Sequence, residues 1–447
     1  MGQSMTPTFS QRLATYIHGA QLKDIDAATI ARAKQVIAYH IGFAMRGVRE
    51  SDPDSMQAIA VARELSEGAG NSSILGTPYK TTLVDAVLAN CTLMRTSKRD
   101  DVIFPAGIHP GLVTLPVALS VAERARASGA ELLTSIVIAY EILGKFGRWM
   151  WSAETPRRAT MPFGTFGSAV AAGRILRLTC EQIANLVGYA AHTAMGLAEG
   201  DEGPITHYYS MVCRNGLTGA YLAKAGGWAS PTVLEGKFGF LESFLGSARV
   251  DVDQLIKTFG RDYVIMDSCE KRYPGTALNQ VPIELMRALV QEHRLAAADI
   301  EAVHAELPIE RRNFAAGHAT GPYQNWATAA SSVAFQLAIL LLDGELTEAR
   351  YQDFANPEIL AITRRFKFDH VPGKPIRYAK LDVRTTDGRR FVREGENFTY
   401  PPEEVQVIME REATGVLPPR KIARFLDLLA DLEHLEDVSQ LVRCLTP

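Results

Sequence analysis

The sequence of 447 residues holds only five cysteines, and none is spaced to bind metal or to build a disulfide framework. Cys91, Cys180, Cys213, Cys269 and Cys444 form no CxxC pair and no Cys/His cluster. An odd, dispersed set of this kind reads as reduced thiols. Long apolar runs are also missing. The longest, Val333 to Leu342, is interrupted by Gln336 and closed by Asp343-Gly344, too short to span a bilayer. No basic segment leads into an apolar stretch near Met1, so no secretory signal and a cytoplasmic location are expected. There is no GxGxxG after a strand and no GxxxxGK motif, which removes the usual phosphate cradles. Neither charge dominates: the net charge of −3 gives no reason to expect nucleic acid or a membrane surface as partner. What remains is an ordinary globular composition, 47% hydrophobic and 22% charged, in which any anion site must be a local cluster.

A chain of this length makes two domains, or one large core with an insertion. Residues 1–265 read mainly as helix. Ile30, Ala33, Val36, Ile37, Ile41 and Ala44 follow the helical period, as do the stretches Leu112 to Arg126 and Leu132 to Trp151. Gly167 to Gly173 is a run of small residues and predicts close helix packing. After Cys269 the pattern changes. Ile300 to Leu307 alternates as a strand does, and two further alternating runs flank the turn pair Asp387-Gly388, a hairpin signal. Helical segments are expected at Val281–Gln291 and Ala327–Leu342. Residues 266–403 therefore read as a smaller α+β domain. From 404 to 447 a single apolar face (Ile422, Phe425, Leu428, Leu429, Leu432, Leu435, Val438, Leu441) predicts a final helix that packs back on the first part. The expected fold class is mainly α with an α+β part: one helical domain from 1–265 and 404–447, and an insertion at 266–403.

The chemistry-bearing stretch is His109-Pro110-Gly111, which follows Arg95-Thr96-Ser97-Lys98-Arg99-Asp100-Asp101. A histidine at a helix mouth, with cations beside two carboxylates, suits a polyanionic ligand. Simpler readings stand beside this one. His109 serves equally as a helix-start residue, and the Arg95–Asp101 run as a solvated loop of compensating charge. Arg148 can pair with Glu141 on its own helix, and Arg157 and Arg158 can be ordinary loop cations. His207, Tyr208 and Tyr209 can be packing aromatics.

In its motifs the chain resembles the MmgE/PrpD family. The matching stretches are His109-Pro110-Gly111, Ser128-Gly129, Ala139-Tyr140-Glu141, Thr165-Phe166-Gly167-Ser168-Ala169, Pro231 to Phe240, Lys271-Arg272-Tyr273-Pro274 and Leu342-Asp343-Gly344. Their shared order over most of the chain carries the resemblance. It implies a helical domain from both chain ends with an inserted α+β lid, a homodimer, and no metal or organic cofactor. It also implies a small polycarboxylate substrate: the family's activities include 2-methylcitrate dehydration, cis-aconitate decarboxylation and iminodisuccinate epimerisation. Each needs cations for carboxylates and an acid or base at carbon.

The departures from the family pattern shape the expected reaction. Where the family carries an HxxDxDD-like run, this chain has Arg95 and Lys98 at the first histidine and aspartate. Met161 replaces a family histidine, Ile205 to Ser210 lack a lysine and a histidine, Thr276 stands for another histidine, and Phe335 aligns with a lid tyrosine. The resemblance leaves His109 and Lys271 of the acid/base set. Added guanidinium groups suit a substrate with many carboxylates. Epimerisation asks only for removal and return of an α-proton. The expected catalytic residues are therefore Lys271 with Lys98, His109 or Tyr208, and Arg95, Arg99, Arg148, Arg272 and Tyr273 are expected to bind substrate. A family lyase with a rearranged acid/base set is the first alternative, and a non-catalytic polycarboxylate-binding relative the second.

Overall fold

The computed structural model describes residues 6–150, 159–197, 206–245, 250–396, 400 and 402–447. Arg157, Arg158 and Ile205 lie outside the described residues. The fold is mainly helical with an α+β part.

Local signals start the helices. The Ala27–Arg49 helix is capped by Asp26, whose carboxylate accepts from the Thr29 N–H at 2.8 Å, offsetting an otherwise unpaired donor. Its predicted apolar stripe turns inward, and Ala33, Val36, Ile37, Ile41 and Ala44 are all buried. Each fully buried Ile or Leu of such a stripe contributes roughly 1.5–3 kcal/mol. The Pro110–Ala125 helix starts at a proline, where no N–H is needed. Inside it Pro116 cannot donate to the carbonyl of Leu112. Two buried thiols point to that carbonyl instead, Cys91 at 3.3 Å and Cys213 at 3.8 Å. Both cysteines thus have a structural role next to the His109 motif.

One large core joins residues from Phe9 to Ile265 with Tyr400 to Leu445. The Gly129–Met150, Thr160–Ile175 and Thr206–Lys224 helices lie in it. Gly164 and Gly167 let neighbouring side chains approach the Thr160–Ile175 helix: an added Cβ would stand 3.1 Å from Val212 and 3.3 Å from Leu143. Close packing of the small-residue run is observed as expected. The single last helix is not. The apolar face is divided among Pro419–Ala430, a turn at Leu432–His434 and Ser439–Arg443. Leu435 is extended, with φ −71 and ψ 120, so the chain bends while its apolar side chains stay inward.

A second core spans Tyr273 to Val383. Its four-stranded sheet runs Phe366–Val371, Ile300–Pro308, Ala379–Thr385, Arg390–Gly395 from edge to edge. The first pair is parallel, with Val303 opposite Phe366, and the others are antiparallel, with Val303 opposite Val383 and Asp382 opposite Val392. Gly388, at φ 86, makes the predicted turn of the last hairpin. The Gln280–His293 and Val333–Asp343 helices pack on this core. The expected helix at 327–342 is broken at Ser332 (φ −80, ψ 128), which caps Val333–Asp343 through the Phe335 N–H at 3.1 Å. Among the described residues no helix is long and apolar enough to cross a membrane.

The two cores meet along the chain that carries Lys271. Val102 and Cys269 exchange two main-chain hydrogen bonds of 2.9 Å. The Tyr39 hydroxyl accepts from the Lys271 N–H and donates to the Lys271 carbonyl, each at 2.9 Å. Gly275, at φ 106, brings its N–H to the Ser97 carbonyl at 3.4 Å. That positive φ favours glycine.

Candidate active site

Asp100 is the centre of the cluster. Its carboxylate is fully buried and is met by three nitrogen-bearing side chains: Arg95 Nη1 at 3.0 Å, His109 Nδ1 at 2.8 Å and Lys271 Nζ at 3.1 Å. Burial alone would raise its pKa, but His109, Lys271 and Arg95 together hold it well below the ordinary carboxylate range. The Arg95–Asp101 run is therefore no solvated loop, since Arg95, Arg99, Asp100 and Asp101 are all buried.

His109 stands at the first position before its helix and makes no side-chain cap. Its Nδ1 also lies 2.7 Å from the Asp101 carbonyl. With two oxygens at Nδ1, that nitrogen carries the hydrogen. Nε2, which has no hydrogen bond among the described residues, is left to exchange protons. The ring is 18% exposed. Tyr209 backs the pair: Arg95 lies 4.5 Å over its ring, and the His109 ring meets it edge-on at 6.3 Å.

Lys98 sits on a strained loop. Ser97 and Lys98 both take left-handed backbone angles, φ 62 and φ 52, which are unfavourable for residues with a Cβ. The conformation turns the Lys98 carbonyl toward Lys271 Nζ at 2.7 Å. The Lys98 amine lies 4.5 Å over the Trp326 ring from the second core. Burial, reinforced by Arg95 and Lys271, pushes its pKa down to about 7. The Lys271 amine is lowered too, because burial outweighs the attraction of Asp100.

Behind this cluster Asp101 is fixed by a second set of donors. Its Oδ1 accepts from the Gly111 N–H at 2.9 Å and lies 3.3 Å from His40 Nε2. Its Oδ2 accepts from the Tyr140 hydroxyl at 2.9 Å and the Ser268 hydroxyl at 2.5 Å. His40 Nδ1 is held by the Val36 carbonyl at 2.9 Å. Burial opposes charge on His40, yet the Asp101 carboxylate raises its pKa. The structure thus adds Asp100, Asp101, His40, Tyr140, Ser268, Tyr209 and Trp326 to the residues expected from sequence. Asp100-Asp101 and Tyr140 were visible there as motif members, but nothing in their spacing separated Asp100 as a hub from Asp101 as an anchor.

Of the remaining expected residues, Arg99, Arg148, Arg272 and Tyr273 have other partners. Arg272 is bracketed by Glu284 and Glu404, each at 2.7 Å. Tyr273 donates to Glu284 at 2.9 Å. Together they tie the Lys271 loop to the Gln280–His293 and Pro402–Ala413 helices. Arg99 lies 5.2 Å over Phe43, with Glu348 at 3.6 Å. Arg148 pairs with Asp267 at 2.5 Å, while Glu141 pairs with Lys145 at 2.6 Å. Tyr208 is 46% exposed on the helix whose next residue, Tyr209, is buried against Arg95. Met161 is buried in the large core, and Phe335 packs between Tyr323 and Tyr351 in the second. Among the described residues no group of three or more His, Cys, Asp or Glu side chains is placed to hold a metal ion.

Comparison with known proteins gives this architecture its relatives. Cis-aconitate decarboxylase of Aspergillus terreus is 22% identical over 457 residues, covering 94% of this chain and 92% of that protein. The human cis-aconitate decarboxylase is 22% identical over 471 residues, covering 99% and 95%. A cis-aconitate decarboxylase-like protein of Aspergillus oryzae is 28% identical over 245 residues, about half of each chain (52% and 50%). Residues 11–253 match the model of the MmgE/PrpD N-terminal domain and residues 273–403 that of the C-terminal domain. The chain belongs to the MmgE/PrpD family.

Proposed function

We propose that the protein moves a proton at carbon beside a carboxylate of a small polycarboxylate, and that its reaction is the epimerisation of iminodisuccinate. The observation that carries this reading is the charge of the Asp100 cluster. One buried carboxylate faces Arg95, Lys271 and His109. Asp101 does not offset the surplus, being bound to Gly111, His40, Tyr140 and Ser268. Such a site favours a ligand with several carboxylates.

In this mechanism the neutral Lys98 amine removes the α-proton. The electron pair left on carbon spreads onto the adjacent carboxylate, and Arg95 and Lys271 stabilise the enediolate-like charge. Protonated His109 returns a proton from Nε2 to the opposite face, and Asp100 holds its ring through Nδ1. Nothing leaves the substrate, so only configuration changes. The loss of family histidines at Met161 and Thr276 supports a reaction that needs no leaving group. A second reading is lyase action on a tricarboxylate, by decarboxylation, which the names of the relatives favour, or by dehydration. In it the same cations hold the carboxylates. The substrate either loses CO2 and is reprotonated at the carbon that carried it, or loses an α-proton and the neighbouring hydroxide as water to leave an alkene.

Proton NMR in D2O separates them. Iminodisuccinate stereoisomers should gain deuterium at the α-carbon and interconvert, with no new alkene and no CO2. No exchange there, with CO2 released from cis-aconitate or water lost from 2-methylcitrate, would replace the epimerase reading by the lyase one.

A further inference from the structure

The α+β part carries a cluster of basic side chains that the proposed reaction does not use. Arg311 follows the Ile300–Pro308 strand and is only 2% exposed. Its NH1 donates to the Leu278 carbonyl and its NH2 to Asn279 Oδ1, both at 3.0 Å and both neutral oxygens. Its Nε has no partner. Among the described residues no carboxylate pairs with it. A guanidinium buried without an anion is unfavourable unless something supplies the missing charge.

Two histidines face the same place. His370 lies on the Phe366–Val371 strand, opposite Leu307, and its Nε2 is buried and unpartnered. The His318 ring stands edge-on to it, with centroids 5.1 Å apart. Burial and then Arg311 lower the pKa of His318; burial, His318, Arg311 and Arg312 lower that of His370. Arg312, exposed, adds positive charge from the solvent side. The nearby carboxylate, Asp369, precedes His370 on the strand and so points to the other face, where His304 Nε2 meets it at 2.8 Å.

We propose that Arg311, His318 and His370 form a binding site for a compact tetrahedral dianion of the sulfate or phosphate type, separate from the Asp100 cluster. Arg311 forms its floor, with Nε as donor. The two imidazoles, half-buried and open to solvent on one side, supply further donors from different directions. The two imidazoles, 5.1 Å apart between centroids, suit one small oxyanion better than an extended dicarboxylate.

Sulfate is the probe, because its charge does not change between pH 5.5 and 7.5. Titration calorimetry of the full chain at matched ionic strength should show saturable binding at pH 5.5, at least five-fold weaker at pH 7.5 as the imidazoles lose their protons. His370→Asn and His318→Asn, both at partly exposed positions, should each weaken it ten-fold or more at pH 5.5. Lys98→Met, in the other cluster, should leave it unchanged. Circular dichroism melting checks that the variants fold. No saturable sulfate binding, or binding untouched by both histidine variants, would overturn the proposal. Succinate bound more tightly than sulfate at the site that the two histidine variants weaken would overturn its tetrahedral assignment.

Discussion

Asp100 and Lys271 are 171 positions apart in sequence, yet the Lys271 amine comes within 3.1 Å of the Asp100 carboxylate. The contact brings the loop that follows the large helical segment onto the Arg95–Asp101 run and fixes both halves of the cluster at once. Replacing the carboxylate by an amide leaves Arg95, His109 and Lys271 without their shared anion. Removing one partner of a buried pair costs about 3–5 kcal/mol. Asp100→Asn should therefore lose about that much in urea unfolding at pH 7. The folded-state pKa of Asp100 is depressed, so its stabilisation is present above the unfolded value of about 3.9 and is lost as pH falls further. The gap between wild type and variant should accordingly narrow below pH 4. Equal stability at pH 7 would remove Asp100 from the centre of the site.

Lys98 sets the expected pH dependence. Its amine, lowered to about 7, is neutral above that pH and cationic below it. As the base it gives kcat/KM an ascending limb that rises with pH through about 7. Lys98→Arg keeps the cation and cannot deprotonate, so it should lose about 10²–10⁴-fold in kcat while KM moves far less. A profile whose ascending limb survives in Lys98→Arg would assign the base to another group.

Adjacent tyrosines are expected to behave differently. Tyr209 is buried beneath Arg95 and beside His109, whereas Tyr208 is exposed on the next helical position. A desolvated guanidinium over a ring is worth about 2 kcal/mol. Tyr209→Leu should therefore lower the melting temperature and raise KM by ten-fold or more, and Tyr208→Phe should stay within two-fold of wild type in both. Steady-state kinetics on the pair decides it; a ten-fold loss in Tyr208→Phe would restore the catalytic role that sequence suggested for it.

The difference between those tyrosines shows what the sequence could carry. Helix positions were legible because periodicity and capping are local: Asp26 before Ala27–Arg49 and Pro110 at a helix start are read within a few residues. The hairpin around Asp387-Gly388 was legible for the same reason. The Phe366–Val371 strand escaped because its burial pattern is only partly alternating and its partner lies over 60 residues away. Lys271 and His109 were found through motifs. Asp100 as the hub, Tyr209 beneath Arg95 and Trp326 under Lys98 depend on contacts between distant segments, which spacing alone does not encode. Arg148 and Arg272 illustrate the converse: a cation placed near a motif looks the same whether carboxylates already face it or not.

Gly111 offers a test of the support behind the site. It is the third residue of the His109-Pro110-Gly111 motif, and its N–H holds Asp101 at 2.9 Å. A Cβ there would stand 2.3 Å from His40 Cε1 and 2.6 Å from the Tyr140 hydroxyl. Neither ring can withdraw easily: His40 is tied to Val36 and Asp101, and Tyr140 to Asp101. Gly111→Ala should therefore destabilise by about 1–3 kcal/mol, the usual cost of overpacking, even though alanine favours helix. Gly19, also helical, has nothing within 4 Å of its added Cβ, so Gly19→Ala should be neutral or stabilising by up to about 1 kcal/mol. Urea unfolding of the two variants compares the same chemical change in two surroundings. Opposite signs would show that the glycine of the motif is required by the Asp101 network behind it, and equal signs would show that this network yields to an added methyl group.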